Sequence, residues 1–413
     1  MVLPVCGWLI WTAVLRAEFE SRVQALRDAG HPADLADLME KPVLDENNAA
    51  VLYAKAAPMI GEFPCGLESK RYGDELYPGE LEEAARWLES KSGVVALLHE
   101  AAARPSCVLD IDWTKGIDAE IEFGSWSHDF SFLLEEYAEK KAQEGEVQEA
   151  TRCVETIFRI ANHTPPACTS LFWQRVGRNV TAMQVLRKIS TADAFDPAAA
   201  RTRFDPYIAL ALDREPLTTA LRCDLALSLS LSRAWIRGGS PIPFLERMSF
   251  DNVLNETPDE VRSSRKVMGW FASTWVMRPF AIRDGIYLIE DFEYITELLA
   301  TEDLSDLESR ARVKRGLPYV FASVATPNVV TFGAWLRDVR AHVAITRAGL
   351  DALISRKNTG HFPADLTGSP LDPFTDKLLR YERHEDGTAR IEAAVPIEEW
   401  QDREEHEIAW ELK

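Results

Sequence analysis

Residues 345–381 read ITRAGLDALISRKNTGHFPADLTGSPLDPFTDKLLRY, and this stretch decides the fold class. Leu350 and Ile354 extend an apolar stripe that begins at Phe332 and runs through Leu336, Val339 and Val343, while Asp351, Ser355 and Arg356 point away from it. That spacing is the period of an amphipathic helix, predicted over about 328–356. Lys357, Asn358 and Gly360 supply its stop: a cation for the negative helix end, then residues that tolerate positive φ. Phe362-Pro363 turns the chain and Leu366 is the next apolar anchor. Asp372-Pro373-Phe374-Thr375-Asp376 is a second turn, with Pro in its favoured place, and it launches Leu378-Leu379-Arg380-Tyr381 as a strand.

Beyond Tyr381 the pattern is β. Glu385-Asp386-Gly387 marks a tight turn, so 389–395 pairs back on 379–383, and the alternation of Ile408, Trp410 and Leu412 predicts a third strand. This ending resembles that of the major pseudopilins of type II secretion: a long helix, an aromatic-Pro turn, a Leu, an Asp-Pro-Phe turn, then a small antiparallel sheet. It resembles more closely the ending of a group of uncharacterised exported bacterial helical proteins. The resemblance covers the C-terminal part alone and implies an architecture. It also implies a calcium loop before the last strand, where this chain has Glu398, Glu399, Asp402, Glu404 and Glu405 but no glycines, and where Arg403 intrudes. A role as an accessory component of a secretion or pilus system would follow from the ending alone, but a long helical region here separates it from the N-terminus.

Upstream the helical period dominates. Helices are expected over about 45–57, stopped by Pro58, and over 78–104 as one helix or a broken pair that begins at Pro78 with Glu80, Glu82 and Glu83 at its positive end. Phe130, Leu133, Leu134, Tyr137 and Ala138, then Val147, Ala150, Val154, Ile157 and Ile160, form the facing stripes of a hairpin turned at Glu144-Gly145-Glu146. This is a tetratricopeptide-like pair, although the 34-residue period is not restated elsewhere. Further helices are expected at 169–189, 217–236, 258–277 and 286–300. The third of these is apolar around most of its circumference, through Val267, Met268, Trp270, Phe271, Trp275, Val276 and Met277, and so belongs at the centre of a bundle. The expected fold is therefore mainly α. It is an irregular helical bundle or solenoid with tetratricopeptide-like hairpins and a small C-terminal antiparallel sheet, divided at 1–29, 30–358 and 359–413.

The first segment stands apart. Residues 2–15 carry no charge and include Trp8 and Trp11, residues of membrane interfaces. As a helix they would reach about 21 Å, against a hydrocarbon core of about 30 Å. Either this is an apolar anchor, which would tether the protein facing out of the cytoplasm, or it is a buried N-terminal helix; the anchor is the expectation. Leu15, Phe19, Val23 and Leu26 continue it as an amphipathic helix that Gly30 ends.

Of the 413 residues, 66 are acidic and 46 basic, a net charge of −20 that repels phosphate backbones, so no nucleic-acid partner is expected. The six cysteines show no CxxC and no metal-type spacing; Cys65 with Cys107 is one conceivable disulfide, and buried free thiols are the alternative. Motifs of zinc proteases, serine hydrolases, nucleotide-binding loops and dinucleotide folds are absent. His163 reads as a helix-end residue.

One segment carries candidate chemistry. Cys107 to Trp113 and Ile117 to Phe123 both alternate, with Thr114-Lys115-Gly116 between them. Paired as a hairpin, they would set Asp112 against Asp118 and Asp110 against Glu120, and like charges directly opposite are destabilising. A bound cation such as calcium, a neighbouring base or a raised carboxyl pKa would relieve them. The alternative is a solvated loop in which the acids never meet. The expected function is a tethered helical scaffold or protein-interaction module with a protein partner. The alternative is a hydrolase using the carboxylates between Asp110 and Glu122.

Overall fold

The computed structural model describes residues 2–67, 78–237, 278–300, 329–394 and 408–413. Among them are eleven α-helices and three short strands, so the fold is mainly α with a small C-terminal antiparallel sheet. The helices are α1 (Val2–Asp28), α2 (Ala49–Ile60), α3 (Pro78–Ser90), α4 (Ser92–Ala102), α5 (Phe123–Gln143), α6 (Val147–His163), α7 (Thr169–Ile189), α8 (Pro197–Leu210), α9 (Glu215–Ile236), α10 (Arg278–Ala300) and α11 (Val329–Thr359). The apolar helix expected over 258–277 and the acidic loop over 396–405 lie outside the described residues.

α5, α6 and α7 form the middle of the bundle, each packed along its neighbours. The two stripes read from the sequence meet there: Phe130, Leu133 and Leu134 on α5, and Val154, Ile157 and Ile160 on α6, are all fully buried. Gly145, at φ 82°, makes the turn between them in a conformation that favours glycine. α2 and α4 pack on α5 and α6, while α8 and α11 pack on each other and on α6 and α7.

α1 is a correction. The apolar start and the amphipathic continuation form one unbroken helix, whose Leu15, Phe19, Val23 and Leu26 are buried, and α1 packs along α10. Gly285 of α10 allows the approach, since a Cβ there would lie 2.8 Å from the Phe19 ring. Among the described residues no helix is long and apolar enough to cross a membrane. The physical reason is charge: Arg16, Glu18, Glu20 and Arg22 stand within α1, whose buried apolar residues Leu15, Phe19, Val23 and Leu26 alternate with them. The expectation of a membrane tether through the N-terminal helix, and of the membrane-anchored location that rested on it, is overturned.

The C-terminal end follows its sequence closely. β1 (Arg380–Arg383), β2 (Ala389–Glu392) and β3 (Ala409–Leu412) pair antiparallel in that order, with Tyr381 opposite Ile391 and Ile391 opposite Trp410. Asp372 holds the turn before β1. Its buried carboxylate accepts hydrogen bonds from the Phe374 amide at 2.9 Å, the Thr375 hydroxyl at 3.1 Å and the Ala394 amide at 2.9 Å. The sheet docks on α11 where Trp410 meets Gly349; a Cβ at position 349 would lie 2.0 Å from the indole. Only a glycine leaves room for that ring.

Candidate functional site

The segment with alternating acids is not a hairpin. Residues 107–112 form no strand, the Ile111 amide turning back to the Leu109 carbonyl at 3.1 Å, and Trp113–Asp118 is a 3-10 turn in which Gly116 takes φ 61°. The register that set Asp112 against Asp118 therefore does not exist. Competition for the backbone explains it: residues 106–108 bond to the start of α2, sixty residues earlier in the chain.

Asn48 makes that junction. Its side-chain oxygen caps α2 by accepting from the Ala50 amide at 3.1 Å, and it also accepts from the Val108 amide at 2.9 Å. Its amide group donates to the Val108 carbonyl at 2.9 Å. The Ala49 amide donates to the Ser106 carbonyl at 2.7 Å, and Arg104 donates to the carbonyls of Asp45 and Asn48 at 2.6 and 2.8 Å. α2 is thus capped by Asn48, later than the start expected near 45, and it runs through Pro58, which does not stop it, to Ile60.

Behind the junction stands His163, the last residue of α6. Its Nε2–H donates to the Arg104 carbonyl at 3.1 Å, which leaves Nδ1 to accept from the Tyr53 hydroxyl at 3.0 Å. Burial lowers the His163 pKa below its ordinary 6.5, with Arg159 adding to the shift, while the bond to the Arg104 carbonyl opposes it. The ring is a neutral strut between α2, α6 and the loop after α4.

In front of the junction lies an open cleft of about 560 Å³. Its rim carries the exposed carboxylates Asp45, Asp110, Asp112, Glu120 and Glu122, with Lys115 among them, and its apolar surface includes Val51, Ala54, Ile121, Phe123 and Trp126. A smaller hollow of about 290 Å³ shares Asp45, Asn48 and residues 108–111 with it. The structure thus brings Asp110, Asp112 and Glu120 to one cleft, while Asp118, exposed at the end of the 3-10 turn, is not among its lining residues.

Asp112 caps that turn. Its Oδ1 accepts from the Thr114 amide at 3.1 Å and from the Thr114 hydroxyl at 2.5 Å, bonds that hold its carboxyl below the usual carboxylate range. Glu122, the far end of the carboxylate run read from the sequence, does line the cleft, whereas sequence reasoning missed Asp45 and Trp126, because α2 and α5 meet the segment only through tertiary packing. The one usable signal was Asn48 beside a predicted helix start.

All six cysteines, Cys65 and Cys107 included, are free thiols. A donor set of metal-binding type lies apart from the cleft: ligand atoms of His99, Glu149 and Cys153 come within 4.8 Å of one another, the grouping of this kind among the described residues. Comparison of the chain with protein-family models, with curated proteins and with solved structures finds no match.

Proposed function

We propose that the protein is a helical interaction module whose acidic cleft receives a cationic segment of a partner protein. The observation that carries this reading is the placement of five exposed carboxylates around an apolar surface in one open cleft. A lysine or arginine side chain suits both parts: its stem covers Val51, Ala54 and Phe123 while its charge reaches the rim. Trp126 offers an aromatic face, which attracts a guanidinium. The net charge of −20 favours approach of a basic partner from a distance.

Hydrolysis by these carboxylates has less support. A pair of acids working as acid and base needs environments that push their pKa values apart. Asp112 is held ionised by Thr114, which occupies one of its oxygens, and the rim acids stand in solvent.

The test is fluorescence anisotropy with two labelled short peptides, one of alternating Lys or Arg with Leu, the other with Glu in place of the bases. The basic peptide is expected to bind, more weakly as salt is raised. The double substitution Asp110→Asn with Glu120→Gln is expected to weaken binding at least about tenfold, which corresponds to 1.4 kcal/mol, with the helical circular dichroism unchanged. Equal binding of the two peptides, or a double variant that binds like the parent, would overturn the proposal.

A further inference from the structure

His99, Glu149 and Cys153 lie on two packed helices away from the cleft. Glu149 and Cys153 are one turn apart on α6 and so share a face, and His99 of α4 packs against it. His99 and Cys153 are buried, whereas the Glu149 side chain is 32% exposed.

One hydrogen-bond pattern presents His99 Nε2 as a ligand. In it the Thr156 hydroxyl donates to the Arg152 carbonyl one turn earlier, at 2.9 Å. The contact of Thr156 with His99 Nδ1, at 2.6 Å, is then one in which Nδ1–H donates and Thr156 accepts. Nε2 is then left with its lone pair, and it faces Glu149 Oε1 at 3.1 Å. Two acceptors face each other, with the sulfur of Cys153 beside them. A proton shared along this edge relieves them in the metal-free chain, and a divalent cation held by Nε2, Glu149 and Cys153 would replace that proton.

We propose that His99 Nε2, a Glu149 carboxylate oxygen and Cys153 Sγ bind a divalent transition metal of the zinc type. The donor set of one imidazole, one carboxylate and one thiolate is that of zinc and cobalt(II), and not of calcium or magnesium. Ligand atoms around a tetrahedral ion lie about 3.3–3.5 Å apart for nitrogen, oxygen and one sulfur, so the His99–Glu149 edge is already short enough and Cys153 needs to draw in by at most about 1.3 Å. The chain from His99 Nδ1 through Thr156 to the Arg152 carbonyl is the outer support that fixes a metal-bound imidazole. On binding, Cys153 gives its thiol proton to solvent and becomes the thiolate ligand.

The experiment uses the full chain, stripped of metal with chelator and kept reduced, and titrated with cobalt(II). The expected result is a thiolate-to-cobalt charge-transfer band in the near ultraviolet, with the strong visible absorption of a four-coordinate ion. Zinc should displace cobalt and raise the melting temperature. Cys153→Ser should abolish the charge-transfer band. Because that substitution is buried, Glu149→Gln and Thr156→Val are measured beside it, and each should weaken cobalt binding at least tenfold. Absence of the band in the parent chain overturns the site. So does a band that survives in folded Cys153→Ser, or unchanged affinity in the other two variants.

Discussion

The C-terminal cap and the wall of the acidic cleft are both short, irregular segments with little regular structure, yet they are held in different ways. In the cap the decisive bonds are local: Asp372 gathers Phe374, Thr375 and Ala394, and the Tyr381 hydroxyl returns to the Pro363 carbonyl at 3.0 Å. In the cleft wall, Asn48 reaches Val108 across sixty positions, and His163 reaches Arg104 across fifty-nine. Local bonds leave a residue signature at fixed spacing; distant ones do not.

The largest expected effect tests how tightly the cap is seated. Gly349→Ala puts a methyl group 2.0 Å from the Trp410 ring, which must then leave its pocket against α11. Overpacking of this degree costs about 3 kcal/mol. Urea denaturation should show that loss, and hydrogen exchange should quicken in β2 and β3 while α2 stays protected. A Gly349→Ala protein as stable as its parent would show that the cap is not seated by this contact.

A smaller loss is expected at the other region. Asn48→Ala removes the cap of α2 and both bonds to Val108, which together are worth about 2 kcal/mol. Exchange should quicken over 106–112 and at the start of α2, with the cap sheet untouched. If 106–112 exchanges no faster in the variant, something other than Asn48 holds the cleft wall.

The same division explains what the sequence made legible. The helix over 328–356, the turn at Asp372 and all three strands come from local periodicity and turn residues, and the structure has each of them. The alternation in 107–123 is just as regular, but it reports one face packed inward: Leu109, Ile111 and Ile121 are partly buried against the core beside Trp113. Periodicity names a buried face and not the partner that buries it. The hairpin failed for that reason, while the amphipathic stripe Leu15, Phe19, Val23 and Leu26, read as such from the sequence, is buried.

The smallest expected effect is that of pH, and it should again separate the two regions. His163 is held neutral behind the cleft wall, with a pKa below the 6.5 of an ordinary histidine, because it is buried and because Arg159 stands near it. The sign follows from proton counting. Below pH 6.5 the unfolded chain takes up a proton at this position that the folded chain refuses, so folding loses stability as pH falls from 6.5 to the lowered folded value. Above 6.5 both states are neutral there and the contribution is complete. His99 is shifted in the same direction by burial and adds to the slope from α4. Protonating His163 Nδ1 would also replace an acceptor with a donor facing the Tyr53 hydroxyl, so the strut weakens where α2 meets α6. Hydrogen exchange at pH 5.5 and 7.5 should therefore show opening first at α2 and 104–112. The variant His163→Gln keeps an amide donor for the Arg104 carbonyl and cannot titrate, so its stability should fall less steeply over that interval. Equal slopes in the variant and the parent would remove His163 as a source of the acid sensitivity.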